Sequence, residues 1–278
     1  KNDAKEYGVT FDLGSKAISQ KIVFKNADEK MSIIGEESFM NPTNSDELSI
    51  GYYVSAPTDL FHIDFGLRHD RISRNGSVTH KEDDHDDHGD DDHADDDHHD
   101  DEVEIDYFDK DINSTSYAFS ISNDLNDFVS VNFGLSYLER APSAVELFMN
   151  GPHLATGRYE VGNTNLKAEE SNNMDLTFSY QNEGFFGSLT FFRNNIDNYI
   201  YLLDETEEEH EEHEEEEHHE DLILSNYLQK NAEMDGYELE FGRTFGFYQG
   251  ELLVSFGMDS VSAEFSDGTN IPRIAPAR

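Results

Sequence analysis

Cysteine and tryptophan are both absent from the 278 residues, and bases are scarce: 19 Lys and Arg stand against 61 Asp and Glu, a net charge of −42. Without cysteine there are no disulfides, no thiolate zinc sites and no cysteine nucleophiles, while the redox compartment stays open. Without clustered Lys and Arg a phosphate backbone has nothing to release its counterions, so nucleic acid is excluded as a partner. No apolar run approaches the roughly 20 residues of a membrane-spanning helix; the longest clear one is Tyr199 to Leu203. The opening KNDAKEYGVT lacks the basic-then-apolar pattern of a signal peptide, so the chain is expected to be mature, a portion of a longer protein, or never exported. G-x-S-x-G, H-E-x-x-H and a phosphate-binding glycine loop are also missing, and carboxylate pairs are too common to single any out. No enzyme is expected.

What is present is unevenly spread. Glu82 to Glu102 holds 14 acids and no base, and Glu205 to Asp221 holds 12 more, which leaves 35 acids against 19 bases for everything else. The remainder reads as an ordinary acidic protein. His85, His88, His93, His98 and His99 lie in the first tract, with His80 just ahead of it, and His210, His213, His218 and His219 lie in the second. Neither tract has aromatic residues or enough apolar ones to offset its chain entropy, so both read as mobile inserts at 82–102 and 205–221.

Between the tracts the chain alternates apolar and polar residues. Val129, Val131, Phe133, Leu135 and Tyr137 share one face of a strand; Ser130, Asn132, Gly134 and Ser136 share the other. The pattern recurs at Leu48 to Val54, Phe61 to Leu67, Leu176 to Tyr180, Tyr237 to Phe241 and Leu252 to Met258. The fold class is therefore all-β. No strand is apolar on both faces, as central strands of a large sandwich would be. An apolar outside with a polar inside suits an antiparallel transmembrane β-barrel, of which about nine or ten strands are present. Short links at Ala56 to Leu60, Asn123 to Asp127, Asn182 to Phe185 and Phe245 to Tyr248 alternate with long ones at about Asp70 to Asn113, Glu139 to Asn172, Asp204 to Asp221 and Asp259 to Asn270. That alternation predicts tight turns at one rim and long extracellular loops at the other, with both tracts external. The aromatic content of 12%, all Phe and Tyr, is consistent with interfacial girdles, although the missing Trp runs against them.

The stretch LERAPSAVELFMNGPHLATGRYEVGNTNLKAEESNNMDL, Leu138 to Leu176, resembles a barrel segment of TonB-dependent outer-membrane receptors, and its GPHLATGRYEVGN portion is most similar to the zinc-uptake branch. Further matches are FGLRHD (Phe65 to Asp70), NNIDNYIYL (Asn194 to Leu202), AEMDGYELEF (Ala232 to Phe241) and IPRIAPAR (Ile271 to Arg278). The resemblance implies a barrel of about 22 strands in the bacterial outer membrane, a plug domain and a TonB box, energised by the TonB complex. The plug and the remaining strands are not in this sequence, so the chain is expected to be a portion of a longer receptor whose one domain here is a partial barrel over 1–278.

Imidazole and carboxylate together suit borderline divalent ions, zinc above all. His85 with His88, or His210 with His213, stand three apart and can meet on one ion; a mobile negative loop also concentrates cations through its field. The bland reading of such tracts is a solvated acidic surface or a shield. A calcium reading rests on Asp84, Asp86, His88, Gly89 and Asp95, which loosely follow an EF-hand loop but place His fifth and Asp twelfth, with no flanking helices. His153 differs because GPH lies in a loop with apolar residues; it is either a metal ligand over the barrel mouth or a hydrogen-bonded loop residue. Glu139, Arg140 and Glu146 read as structural, and His62 as a polar filler of the lumen. The expected function is zinc import, the His/acid loops capturing the ion. The alternatives are import of haem, with His as axial ligand, or of another metal, and, from a different class, a soluble or surface acidic metal-buffering or adhesive β protein.

Overall fold

The computed structural model describes residues 1–15, 17–33, 38–81, 103–206 and 222–274. Ten strands follow one another as an antiparallel meander: β1 (Asn2–Asp12), β2 (Ser19–Met31), β3 (Thr43–Pro57), β4 (His62–Lys81), β5 (Val103–Asn126), β6 (Val129–Arg140), then β9 (Glu169–Asn182), β10 (Phe185–Asp204), β11 (Ile223–Phe247) and β12 (Gly250–Phe265). Between β6 and β9 lie one short helix, α1 (Ala144–Phe148), and the strands β7 (Asn150–His153) and β8 (Arg158–Val161). Among the described residues the sheet does not close, β1 and β12 each pairing on one side only.

The cross-strand register turns the alternation into two continuous surfaces. Ile63, Ile121, Phe133, Leu176, Phe191 and Tyr237 form one row across six strands. The next rows are Phe65, Phe119, Leu135 and Met174, then Val131, Phe178, Leu189, Leu239 and Met258. Phe178, Leu135 and Phe191 on this surface are exposed, as a lipid-facing wall requires. The opposite face is polar and knitted by its own pairs. Arg68 donates to Glu47 at 2.8 Å and to Asp70 at 2.7 Å, the Tyr53 hydroxyl reaches Asp64 at 2.7 Å, and Thr177 meets Thr190 at 2.9 Å.

Turn-like links join β3 to β4, β5 to β6, β9 to β10 and β11 to β12, all at one rim. The β9–β10 turn holds Glu183 at φ 45° and Gly184 at φ 83°; two left-handed residues match the twist of a two-residue hairpin. Every long link leaves from the opposite rim, as the alternation predicts. The link boundaries need correcting, however. β4 runs to Lys81 and β5 starts at Val103, so most of Asp70 to Asn113 is strand, and β12 likewise continues to Phe265. Beyond the apolar band these strands no longer face lipid, and one side of them packs locally, Val78 and Phe108 against the link above and Phe265 against Ile271, so they lose hydrophobic alternation while keeping their ladder hydrogen bonds.

Candidate functional site at the long-link rim

The link 141–168 is the one long link that is described throughout. It opens with Pro142 and Ser143, whose hydroxyl accepts from Glu146 N at 3.2 Å while Glu146 Oε2 accepts from Ser143 N at 2.7 Å. This reciprocal cap starts α1, a single turn. Arg140 closes the same corner, donating to both Glu146 oxygens at 3.0 and 3.1 Å and to Glu169, the first residue of β9. Glu139 accepts from the Thr115 amide at 2.6 Å and from the Tyr137 hydroxyl at 2.8 Å.

α1 turns Leu147 and Phe148 inward, and both are buried with Met40, Leu166 and Ile200. Phe148 stacks on Phe108 of β5, ring centroids 6.3 Å apart, and lies over Gly76 of β4, where a Cβ would come within 2.5 Å of its ring. Only glycine leaves room for that ring. Met149 then bridges to Met40, and Asn150 donates to Thr79 O at 2.8 Å. On its other side the link joins β11, because β8 pairs in parallel with Ile223–Asn226. The link is thus fastened to β4 at one end of its path and to β11 at the other.

His153 ends β7, and the register sets it opposite Arg158, diagonal to Glu160 on the same side of the hairpin. Its Nδ1 lies 2.9 Å from Glu160 Oε1, which also accepts from the Thr156 hydroxyl at 3.0 Å. Glu160 is 4% exposed, and the Phe39 ring covers the imidazole at 5.0 Å between centroids. A carboxylate oxygen accepts, so in this contact Nδ1 is the donor, and Nε2 is the ring nitrogen that takes no part in it. Such a contact orders the hairpin and also sets the ring plane of the imidazole.

A second cluster secures the base of the β10–β11 link. Arg158 donates through Nε and Nη2 to the two oxygens of Asp204, each at 2.9 Å; Arg273 and the Ser225 hydroxyl add bonds at 2.7 and 2.8 Å. The hydrogen bond from Arg158 is the largest cause that holds the Asp204 carboxyl down at about 2, partial burial opposing it.

Of the residues singled out from sequence, His153 is placed in an ordered setting. His80 stands near the end of β4, in register with Glu104. His85, His88, His93, His98 and His99, with the loose EF-hand pattern among them, lie outside the described residues, as do His210, His213, His218 and His219. Their flanks are described: Lys81 pairs with Val103 and Asp204 with Ser225, so both tracts leave from the rim that carries His153. His62 lies at the turn end of β4, 2.8 Å from the Ser55 hydroxyl and 3.3 Å from Asp64, away from that rim. Among the described residues no group of three or more His, Asp and Glu is arranged to hold a metal ion. Glu160, Thr156 and Asp204 were not anticipated; the spacing of seven from His153 to Glu160 signals the contact only once the hairpin register is known.

A family profile described as TonB dependent receptor-like, beta-barrel, matches residues 21–278. The chain belongs to the TonB-dependent receptor family. It is a component of the bacterial outer membrane, which sets aside a soluble acidic protein. The ferrienterobactin receptor of Escherichia coli (strain K12) is 32% identical over 97 residues, 32% of this chain and 13% of that protein. The solved structure of the copper transporter OprC shares the fold with a TM-score of 0.70 at 13% identity, over 99% of this chain and 40% of that one. The Serratia marcescens hemophore receptor HasR, solved with its hemophore HasA and heme, gives 0.60 at 13% identity, over 95% and 41%. The receptor chain thus spans less than half the length of each of these relatives.

Proposed function

We propose that the receptor imports zinc, capturing the ion on tracts 82–102 and 205–221 and passing it to His153 as the first ordered ligand. The observation that carries this reading is the concentration of His and acid in two links of one rim: nine histidines and 26 of the 61 acids lie in the tracts, with His80 beside the first. Imidazole nitrogen selects borderline ions over calcium and magnesium, and the carboxylates raise local cation concentration. The Glu160-bound imidazole supports the second stage, because its Nε2 keeps a lone pair for an incoming ion. Transport would draw on the TonB complex through a plug domain, with lipid around the barrel and no chemical conversion of the cargo. A haem reading is supported by the fold shared with HasR, whose solved complex contains heme; it predicts a shifted Soret band on titration with haemin, lost in His153→Ala.

Distributed capture is weak per ion, multi-site and salt-dependent. It should also fall as pH drops from about 7.5 to 5.5, because imidazole protonates near its ordinary pKa of about 6.5 and loses its ligand nitrogen. The test is zinc accumulation by receptor-dependent cells across a zinc titration. Deleting both tracts is expected to lower uptake only when zinc is scarce, and His153→Ala to lower it at every concentration. A double deletion that matches wild type at the lowest zinc level removes the capture role, and a silent His153→Ala removes the gate.

A further inference from the structure

At the turn rim the apolar surface of the described residues is interrupted by one charge. Arg243 on β11 stands opposite Phe185, the first residue of β10, and opposite Val254 of β12. Its guanidinium carbon lies 4.1 Å from the Phe185 ring centroid and 4.8 Å from that of Phe245. No described residue hydrogen-bonds or pairs with it, and its Nε is buried without a partner. Two phenyl rings fix the plane of a guanidinium, yet they satisfy none of its five N–H donors.

Depth along the strand says what those donors meet. The β9–β10 turn ends at Gly184, so Arg243 stands about one residue, about 3.3 Å, above that turn, while its own strand runs on to Phe247 at the edge of the rim. Phe128, Tyr180, Phe247 and Tyr248 are exposed at the same rim, which is the aromatic belt of a membrane interface. A guanidinium at headgroup level, planar and pre-oriented, matches a phosphate through two parallel hydrogen bonds. The adjoining β9–β10 turn bears the opposite sign: Glu183 is exposed there. A headgroup carrying phosphate alone meets one favourable and one unfavourable charge, whereas one carrying phosphate and ammonium meets two favourable ones.

We propose that Arg243, clasped by Phe185 and Phe245, is a binding site for a zwitterionic aminophospholipid of the inner leaflet, its phosphate on the guanidinium and its ammonium toward Glu183. The site is independent of what the receptor imports.

The experiment uses the full-length receptor in mild detergent, offered equimolar phosphatidylethanolamine and phosphatidylglycerol, with retained lipid counted by native mass spectrometry. Wild type is expected to retain phosphatidylethanolamine about fivefold over phosphatidylglycerol, and Arg243→Gln to bring both to background. Arg193→Gln, which removes a cation of the same face that is already paired with Glu233, is expected to change nothing. Glu183→Gln should erase the headgroup preference while leaving total lipid in place. Heat-modifiable migration on a gel verifies that each barrel is folded; should Arg243→Gln not fold, Arg243→Lys replaces it, keeping the charge but not the planar fork, with weaker retention expected. Equal retention by wild type and the folded Arg243 variant, equal loss in Arg193→Gln, or no headgroup preference in wild type overturns the proposal.

Discussion

At the long-link rim Arg140, Arg158 and Arg273 are each matched by carboxylates from other elements, whereas at the turn rim Arg243 has two phenyl rings and no carboxylate. The same strands run through both rims, so secondary structure does not account for the difference; solvent does. Above the apolar band, where water competes for every polar group, order is obtained from paired charges, a capped turn and a small core around Phe148. Below it the wall is held by what the surrounding medium dissolves. The upper rim should therefore respond to pH and to single contacts, the lower wall to the membrane itself.

The contrast can be broken at its strongest point first. Phe148→Ala empties the core under link 141–168 and is expected to cost about 3–5 kcal/mol of the docking of that link. Limited proteolysis of the full-length receptor should then cut within 141–168 while the barrel stays intact. Intact links in the variant would show that the ion pairs alone suffice.

A lysine in the wall comes next. Leu135 is exposed on the apolar face between Phe119 and Met174, and Leu135→Lys is expected to cost about 2–4 kcal/mol in a bilayer, as charges near the midplane do. Denaturant unfolding in vesicles measures it, and a cost near zero would mean that this face is not lipid-exposed.

The smallest effect is at Asp204. Asp204→Asn removes a partly water-screened pair and should cost about 1 kcal/mol. Because folding lowers the Asp204 carboxyl from 3.8 to about 2, its contribution is complete above the unfolded value and disappears as pH falls through the folded one. Protection of the Arg158–Val161 amides, taken relative to their intrinsic exchange rate at each pH, should therefore be flat from pH 7 to 5 and fall between about 4 and 2 in wild type, with no such fall in Asp204→Asn. An equal fall in both would assign the acid sensitivity elsewhere.

Alternation along Val129 to Tyr137 and its counterparts made the wall and the order of short and long links legible, because a half-buried strand repeats every two residues whatever surrounds it. The upper halves of β4, β5 and β12 were not legible, since above the lipid-facing band their apolar residues pack locally, as Phe108 and Phe265 do, without a two-residue period. The hairpin of β7 and β8 was hidden by Pro152 and Gly157 and by its brevity. At the candidate site, His153 could be singled out because GPH stands among apolar residues. Glu160 could not, because one carboxylate among 61 acquires meaning only from the register that sets it beside an imidazole.

The paired flanks of the two tracts carry a consequence for how such a receptor changes over generations. Lys81 is locked to Val103 and Asp204 to Ser225, so the ends of each insertion are fixed by strands whatever lies between them. Closing a flexible loop costs only about 0.6 kcal/mol more for each doubling of its length. An insertion that lengthens or shortens between those paired ends is therefore expected to leave the strand ladder of the barrel unchanged.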